Sequence, residues 1–148
     1  MKLNFLKLLP LLAILMLASC KKDDPSVADL IKDSKGWVLK ALVSDPPIVI
    51  FGVSVSDLYA QYDNCEKDNI IFFQDNNKYL LDEGPTKCNP SDPQTETGTW
   101  LLSANEKVMT VDGESWDILE ISKSTLRVKF QDSDGILNYN LTATFAHP

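Results

Sequence analysis

The chain has 148 residues, enough for about one domain, and its 14 basic and 21 acidic residues give a net charge of −7. An acidic surface repels nucleic-acid phosphates, and the sequence has no basic patch with interleaved aromatic residues. We therefore exclude nucleic acid from the expected partners.

The N-terminus has the parts of an export signal. Lys2 and Lys7 make the start basic, and the twelve residues 8–19 carry no charge. A basic start, an apolar stretch and small residues before a cut are typical of a secretory signal. Twelve residues of helix span about 18 Å, which is short of the roughly 30 Å hydrocarbon core of a bilayer. The sequence therefore predicts a cleaved signal rather than a permanent membrane helix.

Residues 17–20, Leu-Ala-Ser-Cys, resemble the lipobox of bacterial lipoproteins. The resemblance implies a signal peptide over residues 1–19 and acylation of Cys20, which becomes the first residue of the mature chain. The alternative is an ordinary cleaved signal with an incidental cysteine. The mature chain would keep 12 basic and 21 acidic residues, a net charge of −9. Each buried CH₂ contributes about 0.8 kcal/mol, so a multiply acylated cysteine would anchor the protein in a membrane.

Residues 22–24, Lys-Asp-Asp, resemble a signal that sends some bacterial lipoproteins to the cell surface. The alternative is a short soluble linker without a sorting role. We expect residues 20–35 to form a lipid-anchored, partly ordered linker, in which Pro25–Lys35 forms a short helix or a tether. The predicted location is the outer membrane, with surface exposure implied by the resemblance.

From residue 36 to residue 148, short runs of β-type residues alternate with turn signals. In the last runs, apolar and polar residues alternate with period two, so each strand has one dry face and one wet face. A sheet of such strands avoids exposed edge strands best when it closes into a barrel. The sequence predicts an all-β fold, an eight-stranded antiparallel up-and-down barrel. Its strands are predicted at Trp37–Val43, Asn69–Gln74, Lys78–Glu83, Thr97–Ser103, Lys107–Val111, Ser115–Ser122, Thr125–Gln131 and Ile136–Ala146.

Several short motifs within residues 36–145 resemble the lipocalin-like domain found in many bacterial lipoproteins. They are the Cys-Glu-Lys-Asp-Asn run at 65–69, the Thr-Lys-Cys-Asn-Pro run at 86–90 and the Thr-Glu-Thr-Gly-Thr-Trp run at 95–100. The family usually opens its first strand with glycine, one residue and tryptophan, whereas Gly36 and Trp37 are adjacent here. The resemblance implies a barrel and a ligand-binding function rather than a reaction.

Cys65 and Cys88 are the cysteines that remain once Cys20 is lipidated. A two-residue turn at Asn76-Asn77 sets an antiparallel register that brings Cys65 opposite Cys88. Opposed residues lie about 4.5–5.5 Å apart between Cα atoms, which suits a disulfide in an exported chain. Closing that loop contributes about 3 kcal/mol in the chain-entropy model. Two free thiols or a metal site are the alternatives, but two cysteines without nearby histidines make a poor zinc site.

The sequence offers little catalytic chemistry. Its single histidine, His147, is the second-last residue, where chains usually fray, so no internal base can activate a nucleophile. The carboxylates are numerous but fall mainly in turns, where they are ordinarily solvated. We predict a protein that is not an enzyme and has no metal site and no cofactor.

Two functions fit these features: a barrel that holds a small apolar ligand, or a packed barrel that serves as a cell-surface interaction or structural module. The apolar connection Pro46–Val53 is predicted to be a lid over the barrel mouth, with an irregular extension of the first strand as the alternative. An exposed run of this kind would be a costly patch unless it covers or binds something. The predicted ligand contacts are Ile50, Phe51, Phe72, Tyr139 and Leu141. The sequence identifies neither a protein partner nor an oligomeric state.

Overall fold

The computed structural model describes residues 24–133 and 135–148. The predicted signal peptide and the lipidation site Cys20 lie outside these residues. Within the described part of the chain, no helix is long and apolar enough to cross a membrane. The described residues form nine strands: β1 Val38–Ile50, β2 Val53–Asp57, β3 Ile70–Phe73, β4 Lys78–Asp82, β5 Thr95–Leu102, β6 Val108–Val111, β7 Glu114–Ile121, β8 Thr125–Ser133 and β9 Asn138–Ala146. The helices among them are α1 Val27–Ile31, α2 Asn64–Lys67 and the 3₁₀ turns Tyr59–Gln61 and Asp75–Asn77.

All neighbouring strands are antiparallel, in the order β2-β1-β9-β8-β7-β6-β5-β4-β3. The all-β prediction is confirmed, but the eight-stranded closed barrel is wrong, because the described chain forms a nine-stranded sheet without a closing ladder. β3, at one end of the sheet, meets the residue before β1 at an isolated bridge, in which Trp37 and Ile71 exchange two backbone hydrogen bonds of 2.8 Å.

The length of β1 explains the missing ladder. One edge of β1 pairs with β9, and the second half of its other edge pairs with β2. β3 therefore meets β1 only beside its start. Residues 58–69 connect β2 to β3 and lie against β1, where the Leu58 N–H donates to the Leu42 carbonyl over 2.9 Å.

The turn between β3 and β4 is one residue longer than the sequence predicted. Asn76 and Asn77 both have positive φ, 65° and 61°, a region that asparagine enters more readily than most residues. The loop therefore contains Asp75 as well, and Phe73 pairs with Tyr79 instead of Leu80. The predicted register was wrong by one residue.

Part of the expected linker is folded. Ser26 and Asp29 form a capping box that starts α1, and Ile31 is fully buried in the core. The Trp37 indole N–H donates to the Ile31 carbonyl over 2.8 Å. The expectation that His147 frays is wrong. Its ring stacks on Trp37 at 4.4 Å between centroids, and its two nitrogens lie 2.7 and 2.9 Å from backbone carbonyl oxygens.

Candidate functional site

The apolar face of the sheet encloses the core and borders two adjoining cavities. We name them the Tyr62 cavity, of about 230 Å³, and the Tyr79 cavity, of about 290 Å³. They share the side chains of Ile71, Leu81 and Trp116. The Tyr62 cavity is also lined by Leu39, Leu42, Tyr62, Glu66, Asn69, Phe130, Ala143 and Phe145, and the Tyr79 cavity by Phe73, Tyr79, Val111, Asp112 and Glu114.

Trp116 on β7 stands between the two cavities. Its ring stacks on Phe130 at 5.1 Å and on Phe145 at 6.3 Å between centroids. Its indole Nε1 is buried and has no hydrogen-bond partner among residues 24–133 and 135–148. A buried donor without a partner costs about 1–3 kcal/mol, so this N–H is a polar group for which the fold itself supplies no acceptor.

The Gly98-Thr99-Trp100 motif on β5 shapes the Tyr79 cavity. A side chain at Gly98 would collide with the Tyr79 ring, whose nearest atom lies within 2.3 Å of the Cβ position. Asp112 then accepts hydrogen bonds from the Tyr79 hydroxyl and, over 2.8 Å, from the Thr99 backbone N–H. Trp100 donates its indole N–H to the Gln74 carbonyl over 2.9 Å. The motif therefore positions an aromatic ring and a carboxylate at the cavity.

The protonation states of this pair are set by their contact. Burial, the hydrogen bond to Asp112 and the negative charges of Asp112 and Glu96 raise the pKa of Tyr79 to about 12. The hydrogen bonds from Tyr79 and from the Thr99 backbone lower the pKa of Asp112. At neutral pH the tyrosine is therefore neutral and the aspartate is charged.

Segment 58–69 carries the polar side of the Tyr62 cavity. The Glu66 carboxylate accepts the Asp63 backbone N–H over 2.7 Å and completes the capping box of α2. Burial, and then the charge of Glu66, raise the pKa of Tyr62. With its amide turned to donate, Asn69 reaches the carbonyl oxygens of Cys65 and Glu83 at 3.0 and 3.1 Å.

The predicted disulfide is confirmed: Cys65 and Cys88 are bonded, with 5.2 Å between their Cα atoms. The ladder that predicted it does not reach the cysteines, because Cys65 lies in α2 and Cys88 in the loop between β4 and β5. The bond instead ties the segment that carries Tyr62 and Glu66 to the loop that follows β4.

The structure does not bring the five predicted ligand contacts together. Segment 46–53 is the end of β1, a turn and the start of β2 rather than a lid. Ile50 is half-buried there, and Phe51, in the turn at φ 49°, is fully exposed. Phe72 lies against Gly36 and lines a separate groove of about 730 Å³ beside α1. Tyr139 and Leu141 are buried in the core. Ligand contact by these residues stays a prediction.

Sequence reasoning missed Trp116, Tyr62, Glu66 and Asp112. Trp116 and Ile118 are half-buried on either side of the exposed Asp117 on β7, a period-two signal that was present in the sequence. Asp112 was placed correctly in a turn, and only its contact with Tyr79 on another strand distinguishes it from a solvated acid. Within the described residues, no group of three or more histidine, cysteine or acidic side chains could hold a metal ion.

The described residues form an all-antiparallel sheet with two apolar cavities on its inner face. A family model for the lipocalin-like domain matches residues 37–128, and the chain belongs to this family. The lipocalin-like fold is typically a non-enzymatic binding fold. None of the curated proteins and none of the solved structures shows significant similarity to the chain.

Proposed function

We propose that this protein is an exported, lipid-anchored, non-enzymatic binding protein that holds a small, largely apolar ligand beside Trp116. The observation that carries the proposal is the Trp116 side chain, which lines both apolar cavities and whose buried indole N–H has no partner in the described chain. A ligand with an aromatic or apolar body and one hydrogen-bond acceptor would supply the missing partner.

The size of the cavities supports a ligand of roughly one ring. An apolar cavity of about 150 Å³ is sufficient to bind benzene, and the Tyr62 cavity has about 230 Å³. Ligand sites are typically apolar with a few placed polar groups, which here are Tyr62, Glu66 and Asn69. All three lie on segment 58–69, which the Cys65–Cys88 disulfide ties to the loop that follows β4.

Attachment at Cys20 would place the binding domain at the membrane surface. α1 begins at Val27 with Ser26 as its N-cap, so five residues of sequence separate Cys20 from that cap. We propose the outer membrane, with the domain exposed at the cell surface. Cys20→Ala should leave the protein unacylated and move it out of the membrane fraction. An unlipidated mature N-terminus in the intact mass of the wild-type protein would refute the anchor.

Ligand binding is tested by filling the cavity. Tyrosol, 4-(2-hydroxyethyl)phenol, is a neutral one-ring probe with a hydroxyl that can accept from Trp116. Ala143 is buried and lines the Tyr62 cavity, so Ala143→Leu should weaken tyrosol binding about tenfold in calorimetric titration. Ala104→Leu makes the same change in an exposed turn and should bind like wild type. Equal tyrosol binding by all three proteins would refute the cavity as the site.

The second candidate function, a surface interaction module, is favoured by the hairpin of β1 and β2. Residues 46–56 carry no charge, and Val49, Phe51 and Val53 are exposed along it. α1 precedes the start of β1 and the hairpin turn follows its end, so the turn is separated from the proposed anchor by roughly 40 Å of strand. A wild-type protein that takes up no one-ring probe would favour this candidate.

A further inference from the structure

We infer that the ligand of these cavities carries a positive charge, so that its class is an apolar or aromatic amine or a related organic cation. The inference rests on the proposed function and specifies its ligand. Every charged side chain that lines either cavity in the described chain is acidic: Glu66 in the Tyr62 cavity, Asp112 and Glu114 in the Tyr79 cavity.

The charge of these carboxylates is not cancelled by a cation at the cavity wall. Lys67 follows Glu66 in sequence, but its ammonium lies over the Tyr59 ring at 5.2 Å and lines neither cavity. The Glu114 side chain makes no hydrogen bond or ion pair to residues 24–133 or 135–148. Lys78 acts on Asp112 from outside the cavity lining.

Low-dielectric walls strengthen the field of these charges. A cleft lined by one sign of charge and bounded by apolar groups focuses the field and concentrates ligands of opposite sign. The walls between the carboxylates are leucine, isoleucine, valine and aromatic side chains. Glu66, Asp112 and Glu114 are themselves exposed, so they attract a cation from solvent toward the apolar walls, in addition to the negative charge of the whole protein.

Aromatic rings make the same cavities favourable for an ammonium group. Tyr62, Trp116 and Phe130 face the Tyr62 cavity, and Phe73 and Tyr79 face the other. A cation over an aromatic face is attracted by the ring quadrupole, and more strongly when water is excluded. A carboxylate ligand such as a fatty acid would instead find no lysine, arginine or histidine among the described lining residues, and an unpaired buried charge is strongly disfavoured.

Three probes of one shape test the charge. Tyramine, tyrosol and 4-hydroxyphenylacetate share a phenol ring and differ at the other end, where they are cationic, neutral and anionic at neutral pH. We expect tyramine to bind about tenfold more tightly than tyrosol, and 4-hydroxyphenylacetate more weakly than both. Added salt should reduce the difference in binding affinity between the three probes, because it screens the charges.

Two variants test whether the preference for a cationic probe arises within the cavities. Glu66→Gln keeps the α2 cap, since glutamine also completes a capping box, and removes one cavity charge. Glu120→Gln removes the same charge from an exposed position on β7 that lines neither cavity. The preference for tyramine over tyrosol should fall several-fold in Glu66→Gln and stay unchanged in Glu120→Gln.

The outcomes separate the inference from the proposed function. If none of the probes binds at millimolar concentration, the ligand-binding function fails and the inference fails with it. If tyrosol and 4-hydroxyphenylacetate bind as tightly as tyramine, the inference is overturned while the binding function stands. If the two glutamine variants lose the preference equally, the net charge of the protein is responsible and the cavity assignment is overturned.

Discussion

The surroundings of Trp37 and of Trp116 differ in one decisive respect. Trp37 is fully buried, its indole N–H is paired with a carbonyl oxygen, and one face of its ring is covered by His147. Trp116 also stacks on aromatic neighbours, but its buried N–H has no partner in the described chain and its ring borders two cavities. Both rings stand on the inner side of the same sheet.

On the proposed function, this difference separates a structural tryptophan from one that contacts the ligand. At the Trp37 end, the Ile31 carbonyl accepts the indole N–H, the one polar atom of that side chain, so burial there contributes stability alone. At Trp116 the indole N–H is unpaired in the described chain and the side chain lines two cavities, where the proposed ligand would bind. Large effects on stability should therefore appear at Trp37 and effects on binding at Trp116.

Trp37→Ala should have the largest effect. Truncating a buried aromatic side chain typically costs about 3–5 kcal/mol, and this one also removes the anchor of α1 and His147. We expect a loss of that size in the free energy of unfolding, measured by denaturant titration. Trp37→Phe, which keeps a ring but loses the hydrogen bond, should lose less. A loss below 1 kcal/mol in Trp37→Ala would contradict the comparison.

Cys65→Ser should have the next largest effect. Losing a disulfide across the 23-residue separation of Cys65 and Cys88 costs about 3 kcal/mol in the chain-entropy model. Because α2 also carries Glu66, we expect tyramine affinity to fall together with stability. Denaturant titration and calorimetry report the two effects. Unchanged tyramine affinity in a folded variant would show that the bond does not hold the site in place.

The Tyr79–Asp112 contact should produce a smaller, pH-dependent effect. The pKa of Tyr79 in the folded chain is about 12 against an ordinary value of 10, so only the unfolded chain loses this proton between those pH values. Stability should therefore fall as pH rises from 10 to 12. Tyr79→Phe should lack this contribution and also lack a phenolate absorbance step near pH 12. A Tyr79 step near pH 10 would contradict the contact.

Trp116→Phe should have the smallest effect on stability. The substitution removes an unpaired donor and part of a ring that already borders open space, so we expect a change within about 1 kcal/mol. Tyrosol affinity should nevertheless fall several-fold because the indole N–H is lost. Trp100→Phe is the matched control, since it removes an N–H that is bonded within the fold. If Trp100→Phe loses tyrosol affinity and Trp116→Phe does not, the assignment of Trp116 to the binding site is refuted.

Most of the sheet could be predicted from local pattern. Eight strands could be located from turn signals and from alternation such as that in β8 and β9. Alternation is visible locally because neighbouring residues of a strand face opposite sides of the sheet. The segment read as a lid ends at Val53, where the missing strand β2 begins, and otherwise forms the end of β1 and a turn. Its run of apolar residues lacks alternation, and Phe51 lies in a turn at positive φ where the sequence suggested a covered side chain.

The site was less predictable because its parts come from distant segments. Glu66 reaches the Tyr62 cavity through a short helix held by a disulfide, and Asp112 reaches the Tyr79 cavity through a contact over 33 residues of sequence. Neither position has a distinguishing local pattern. His147 was misjudged for the same reason, since its partners Gly36 and Lys123 are far away along the chain.

The most direct test of the central claim is an NMR spectrum of the three indole N–H groups during titration with tyrosol. Single Trp→Phe variants assign the three signals. The account predicts that the Trp116 signal moves on binding, since its N–H gains an acceptor, while the signals of Trp37 and Trp100 stay in place. A Trp116 signal that does not move at millimolar tyrosol, or equal movement of all three, would contradict it.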